Sequence, residues 1–339
     1  MITFANLQKK LVPDLLEVMK QRYSILQSVG NLEPIGRRAL SEKTNLTERT
    51  IRSEIDLLHN QGLVDVTSKG MYLSKEGKVV VDQLAGFMRE MMGVTVLEKQ
   101  IREKLNIANV FIVPGNSDEF EWVKQEMGKL CVKYLKNIIK NPSTIAVTGG
   151  TTMAAVADVM APLSNDADVL FVPARGGIGE KVENQASGIV AEMAKKAKGD
   201  YRLLHVPDPL SESAYQTLTN EPSIKEVLEQ IKASNIVIHG IGDAATMATR
   251  RKTSSEIFEK LRANHAASEA FGYYFDQEGN VVHKVRTVGI QLEDLTSIEH
   301  VIAVAGGKSK ANAILSYFKQ GKGDLLITDE AAAEQILRG

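Results

Sequence analysis

The sequence predicts an α/β chain in two parts, a small helical unit followed by a doubly wound α/β domain, and three observations predict it. The helical period dominates from Asp14 to about Leu73, whereas from Asn109 onward short apolar runs alternate with longer helical patterns. The runs at 110–113, 144–148, 168–172, 201–205, 235–239, 285–292, 301–304 and 324–328 are mostly apolar throughout, as parallel strands covered on both faces must be. Finally, 339 residues suffice for about two domains at roughly 150 residues each. The expected division is 1–73 for the first domain, 74–105 for a joint, and 106–339 for the second domain.

Composition excludes several classes of function. The 41 basic side chains oppose 42 acidic ones, so the surface as a whole is no polyanion magnet, although one basic edge is compatible with that balance. Cys131, the lone cysteine, excludes an intramolecular disulfide and a multi-cysteine zinc site. No apolar run reaches the roughly 20 residues that span a bilayer, and the first ten residues lack the apolar core of a signal peptide. A cytoplasmic protein without a membrane partner, a metal or a cofactor is expected.

Between Ile35 and Tyr72 the elements read in order as helix, tight turn, helix and hairpin. A first helix is expected over 38–44, with Asn45 and Leu46 as the turn. Thr47 is placed to cap the helix 48–61, because its hydroxyl can accept from the free first-turn donors, and Gly62 stops that helix. Ile51, Ile55 and Leu58 fall on one buried face. Arg49, Thr50, Arg52 and Ser53 are left near the exposed amino-terminal end, the end that enters the major groove in a helix-turn-helix. The runs 63–67 and 70–73 form a β-wing with Lys69 at its tip, within reach of a phosphate. A small helical adaptor with a solvated charged face is the plainer alternative. Local charge does not decide between them, since six bases here oppose five acids.

The joint carries Val81, Leu84, Met88, Met91, Val94, Leu97, Ile101 and Leu105 at spacings of three or four, the stripe of one amphipathic helix with Gly93 as its weak point. That stripe either packs on its own domain or forms a seam between copies.

In an open parallel sheet the ligand crevice lies beyond the carboxyl ends of the strands, so the loops after strands are where chemistry is expected. Gly149, Gly150, Thr151 and Thr152 follow one strand and open a helix. Glycine N–H groups, threonine hydroxyls and the helix start together suit a phosphate, although a plain tight turn is the competing reading. Arg175 follows the next strand among small residues, with Gln185 one stretch further on. Arg250 is favoured within the basic run 250–252, and Lys308 or Lys310 follows the glycine pair Gly306 and Gly307. Three convergent cations are about what two phosphates require. His239 and Asp243 are available as an acid–base pair, and Glu269 as a carboxylate that accepts from sugar hydroxyls. No nucleophile or metal cluster accompanies them, so no catalytic residue is assigned.

Thr148 to Thr152, the segment 173–177, Gly240 with Gly242, Phe271 with Gly272, Phe275 with Asp276 and Gly279, and Gly306 with Gly307 and Lys310 together resemble the bacterial SorC-type transcription regulators. The resemblance spans nearly the whole chain. It implies a winged helix-turn-helix that binds operator DNA, joined to a sugar-binding domain whose fold is similar to that of sugar-phosphate isomerases. It further implies a repressor of glycolytic genes relieved by a phosphorylated sugar, fructose-1,6-bisphosphate. Because two half-sites read by one symmetric protein need two DNA heads, a homodimer or homotetramer is expected. The phosphates are implied to sit on the glycine-threonine loop, Arg175, Arg250 and Lys310. A phosphosugar isomerase or deaminase is the alternative. Against it, Asp243 is followed by Ala244, Ala245, Thr246 and Met247, without the histidine and acidic partners of the deaminase pattern.

Overall fold

The computed structural model describes residues 11–44, 46–91, 93–163, 168–177 and 181–339. The chain divides into two compact units, Met1–Val96 and Leu97–Gly339. The expected turn residue Asn45 lies outside the described residues.

In the first unit, α1 (Pro13–Leu32), α2 (Arg37–Thr44) and α3 (Glu48–Asn60) precede a hairpin of β1 (Val64–Thr67) and β2 (Gly70–Leu73), and α4 (Lys75–Met91) follows. Thr47 caps α3 as its position predicts, its Oγ1 accepting from Thr50 N at 3.2 Å. Gly62 ends the segment with φ +75°, a conformation that costs other residues steric energy. Ile51, Ile55 and Leu58 of α3 pack with Ile25 and Val29 of α1, Leu40 of α2, and Val64 and Met71 of the hairpin. Burial of each large aliphatic side chain contributes about 1.5–3 kcal/mol. The antiparallel hairpin runs in register from Val64 opposite Leu73 to Thr67 opposite Gly70.

The expected joint helix is two helices. Gly93 has φ +77° and separates α4 from α5 (Val94–Leu105). A residue in the left-handed region ends a helix, so the stripe is continuous in sequence but not on one helix. Met91 packs against Leu16 and Phe87, and Val81 against the core around α3, so this part of the stripe is covered within its own unit.

The second unit continues with β3 (Asn109–Val113), α6 (Glu121–Ile138), β4 (Ser143–Val147), α7 (Thr151–Asp158), β5 (Val169–Pro173), α8 (Ala186–Ala197) and β6 (Asp200–Tyr201). Then come α9 (Glu212–Asn220), α10 (Pro222–Lys232), β7 (Ile236–His239), β8 (Gly242–Asp243), α11 (Ala244–Arg250) and α12 (Ser255–Ala263). The chain ends with β9 (Ser268–Ala270), β10 (Tyr273–Phe275), β11 (Val281–Lys284), β12 (His300–Val304), α13 (Ala311–Lys319), β13 (Leu325–Asp329) and α14 (Glu330–Arg338).

A seven-stranded parallel sheet runs in the order β3-β13-β12-β7-β4-β5-β6. Ile145, Val147, Phe171, Ile236, Ile238, Ile302 and Ile327 share a core with α6, α7 and α8. The intervening Ala146, Val172, Val237, Ala303 and Leu326 are equally sealed, which is what makes these strands apolar at every position. From β4 the chain winds outward to β5 and β6, and from β7 it winds the other way to β12 and β13. The switch point therefore lies between β4 and β7.

Two strand expectations fail. The run 201–205 contributes only Tyr201, to the two-residue strand Asp200–Tyr201 at the sheet edge. The run 285–292 is no regular strand; it lies along the loop after β5, with Gly176 N donating to Val288 O and Ile290 N to Ala174 O. Conversely, an antiparallel sheet in the order β11-β10-β9-β8 is absent from the sequence reading. Its strands are two to four residues long, too short for an alternating pattern to register.

Candidate functional site

The candidate recognition edge of the first unit follows from the burial of α3. With Ile51, Ile55 and Leu58 inward, Arg49, Arg52 and Ser53 are exposed, while Thr50 is half-buried with its Oγ1 2.9 Å from that of Thr47. Lys69 is exposed on the hairpin turn. Two acids that blur the local charge are occupied elsewhere: Glu54 accepts from Arg22 at 2.8 Å and Asp56 from Arg37 at 3.4 Å. Among the described residues neither Arg49 nor Arg52 forms an ion pair, so the basic edge is sharper in three dimensions than in the sequence.

In the second unit one pocket sits at the switch point. Its lining includes all nine effector candidates: Gly149, Gly150, Thr151 and Thr152 after β4, Arg175 and Gln185 after β5, Arg250 at the end of α11, Glu269 on β9, and Lys310 after β12. Lys308 lies elsewhere, beside Asn116 and Asp118. The sequence assigns Asn184 and Met247 no role at the site and shows Phe271 only within a motif; all three line the wall. No pattern points to Asn184, whose backbone carbonyl meets Gly150, or to Met247, an ordinary apolar side chain.

The glycine loop is built by close approach. A Cβ on Gly149 would lie 2.7 Å from Asn184 O, and Gly150 has φ +114°. One expectation needs correction: the Gly150 N–H does not face an anion, because it donates to Asn184 O at 2.8 Å. The donors left without an intrahelical carbonyl are instead those of the first turn of α7, at Thr151, Thr152 and Met153. No side chain caps that turn.

The cations differ in what they already hold. Arg175 is buried between Asp208, at 2.6 Å, and Glu269, at 3.1 Å. Glu269 Oε1 also accepts from Arg251 at 2.9 Å and from Gly272 N at 2.8 Å, and Arg251 Nη1 reaches Tyr274 Oη at 3.3 Å. Burial alone would raise the pKa of Glu269, but Arg251 and Arg175 outweigh it and hold the carboxyl at about 2. Glu269 is therefore an ionised brace for two arginines, a role the sequence reading did not assign to it. Lys310 has its pKa lowered by burial and by the charges of Lys124 and Arg250, against the opposing pull of Asp118 and Asp329. The loop that carries it is pinned by buried Asp329, which accepts from Gly307 N at 2.7 Å and from Ser117 N at 2.8 Å.

The acid–base pair considered above does not form. His239 is sealed, with Nδ1 3.1 Å from Gly240 O and Nε2 3.1 Å from the Tyr317 hydroxyl, and burial lowers its pKa to about 4. A carbonyl only accepts, so Nδ1 carries the proton and Nε2 accepts from Tyr317. Asp243 is spent on capping α11, its Oδ1 accepting from Thr246 N at 2.8 Å. Among the described residues no cluster has the makings of a metal site.

The Sugar-bind family model, a sugar-binding domain, matches residues 89–338, and the CggR N-terminal DNA binding domain matches residues 18–88. The central glycolytic genes regulator of Bacillus subtilis (strain 168) is 51% identical over 331 residues, covering 98% of this chain and 97% of that protein. Its counterpart from Priestia megaterium is 50% identical over 339 residues, covering 100% and 99%. A crystal structure of a SorC family transcriptional regulator from Enterococcus faecalis is 46% identical and superposes with a TM-score of 0.68, covering 71% of this chain and 99% of that one. These relatives are transcription regulators, which sets the isomerase or deaminase alternative aside. With an amino-terminal DNA-binding domain, a carboxy-terminal sugar-binding domain and half its residues shared along the full length, the chain belongs to the central glycolytic genes regulators of the SorC family.

Proposed function

We propose that the chain is a repressor of glycolytic genes that binds operator DNA through Arg49, Thr50, Arg52, Ser53 and Lys69 and is released by fructose-1,6-bisphosphate. The observation that carries this reading is the convergence, at one switch point, of an uncapped helix start with Arg250 and Lys310. A bisphosphate needs two anion sites. The first turn of α7 supplies one through backbone donors and the Thr151 and Thr152 hydroxyls, with Arg175 on the same pocket wall. Arg250 and Lys310, near enough for the arginine to lower the lysine's pKa, supply the other, and a phosphate relieves their mutual repulsion. Gln185 can donate to or accept from the sugar between them, while ionised Glu269 accepts from its hydroxyls. Two half-sites read by one symmetric protein call for a homodimer or homotetramer.

The test is operator affinity of the full chain measured with increasing fructose-1,6-bisphosphate beside a panel of other mono- and bisphosphorylated sugars. The bisphosphate is expected to weaken operator binding by roughly 5–150-fold, the usual range of allosteric coupling. An operator affinity that no phosphorylated sugar alters would overturn the reading, and sedimentation of the same chain as a monomer would overturn the assembly.

A further inference from the structure

Arg175 lines the pocket, yet its charge is already committed. Nη1 serves Glu269 and Nη2 lies against Asp208, and the two carboxylates are not held equally. Glu269 Oε1 accepts from Arg175, Arg251 and Gly272 N. Asp208 has a side chain with no solvent exposure, and neither of its carboxylate oxygens makes an aligned hydrogen bond. Arg175 Nη2 has none either, so the 2.6 Å contact is an ion pair without a directed bond. A carboxylate withdrawn from water without donors is among the costliest polar groups to bury.

We propose that Asp208 is an internal competitor of the effector: it holds Arg175 until a sugar phosphate takes the guanidinium in its place. This inference rests on the pocket reading above. A dianionic phosphate cannot sit on Arg175 while two carboxylates flank the same guanidinium, so one carboxylate must yield. Glu269 is fixed by three donors and Asp208 by charge alone, which makes Asp208 the one that leaves. Its backbone moves with it. Asp208 N donates to Gly177 O at 2.9 Å and Leu210 N to Arg286 O at 3.1 Å, so displacement of the carboxylate pulls on the strap that leads into α9.

Calorimetric titration of the full chain with fructose-1,6-bisphosphate tests this directly. Asp208→Asn is expected to bind about tenfold more tightly, the worth of one charge-assisted hydrogen bond no longer contested, and the gain is expected to vanish in an Arg175→Gln background. Equal or weaker binding by Asp208→Asn, or a gain that survives without Arg175, overturns the competition. If Asp208→Asn does not fold, amide exchange in the parent decides: the sugar is expected to speed exchange at Asp208 and Leu210 while it slows exchange in α7. Unchanged or slower exchange at those two amides, with α7 protected, overturns the competition alone. A parent that takes up no sugar and gains no protection in α7 overturns the pocket reading, and this inference with it.

Discussion

The exposed edge of α3 and the pocket of the second unit both carry arginines, but they hold them in opposite ways. Arg49 and Arg52 stand in water on one turn of α3, while Arg175 and Arg251, 6% and 7% exposed, are bonded to buried carboxylates. An exposed arginine adds little to the fold, and it acts on a polyanion mainly by displacing counterions, so its effect is read in affinity and salt dependence. A buried one is part of the fold before it is part of a site. The same substitution therefore reports on binding in the first unit and on stability as well as binding in the second.

The sharpest way to break that contrast is Glu269→Gln. It would leave Arg175 and Arg251 without the carboxylate that braces both, and loss of one partner from a buried ion pair costs about 3–5 kcal/mol. Arg49→Ala and Arg52→Ala are expected to change stability by no more than about 0.5 kcal/mol. Urea unfolding of the full chain measures both. A Glu269→Gln variant as stable as the arginine variants would show the brace to be ornamental.

Acid is the next lever, and it should act on the second unit through two groups in separate windows. His239 is held neutral, its pKa lowered by burial from 6.5 to about 4. The folded state disfavours its proton, so this contribution is complete above pH 6.5 and is lost as pH falls towards 4. Glu269, lowered from 4.5 to about 2, contributes fully above pH 4.5 and loses its share between there and 2. Each window is worth roughly 3 kcal/mol. Urea midpoints followed from pH 7 downward should decline in two stages, and His239→Gln should flatten the upper one. A parent curve level between pH 6.5 and 4.5 would contradict the sealed, neutral histidine.

The same contrast explains what could be read in advance. The first unit was legible almost element by element, because its structure is fixed by local chemistry: the cap at Thr47, the stop at Gly62, and a helical period that puts Ile51, Ile55 and Leu58 inward. In the second unit the central strands were legible as apolar runs and the site residues as the contents of post-strand loops. The partners of those residues were not. Arg175 and Glu269 are 94 positions apart, and no local pattern signals that a loop arginine will be claimed by a distant strand. The basic run 250–252 shows the limit well. Arg250 is exposed at the pocket and Arg251 is buried against Tyr274, a difference set by one residue of helical phase at the end of α11. By type and place Gly150 suits a donor to an anion, and only the approach of Asn184 shows its N–H to be taken.

Arg250→Ala and Arg52→Ala sharpen the comparison at intermediate size, since both remove an exposed charge and neither should unfold the chain. Arg250→Ala is expected to weaken sugar binding by about 1.5–3 kcal/mol while operator affinity without sugar stays at the parent level. Arg52→Ala is expected to do the reverse. A base contact would cost about 1–3 kcal/mol at one operator position, whereas a phosphate contact would weaken all sequences and lower the salt slope by about one. Paired titrations with sugar and with operator separate the two variants. If Arg250→Ala lowers operator affinity in the absence of sugar, the division of labour between the two arginines fails.

The smallest effect belongs to a neutral group. Thr152 is the second residue of α7, 6% exposed, and faces the pocket beside first-turn donors that substitution leaves in place. Thr152→Ala removes a single hydroxyl, worth about 0.5–1.5 kcal/mol or roughly 2- to 12-fold in sugar affinity. Thr152→Ser keeps the hydroxyl and should bind within about twofold of the parent. The order Arg250→Ala above Thr152→Ala follows from charge, because the guanidinium meets the phosphate as a cation meets an anion, whereas the hydroxyl meets it as a neutral donor. Calorimetry on the three variants tests that order. Should Thr152→Ala cost as much as Arg250→Ala, the helix start rather than the cation pair would be the principal anion site, and Arg250 would be the lesser partner in the pocket.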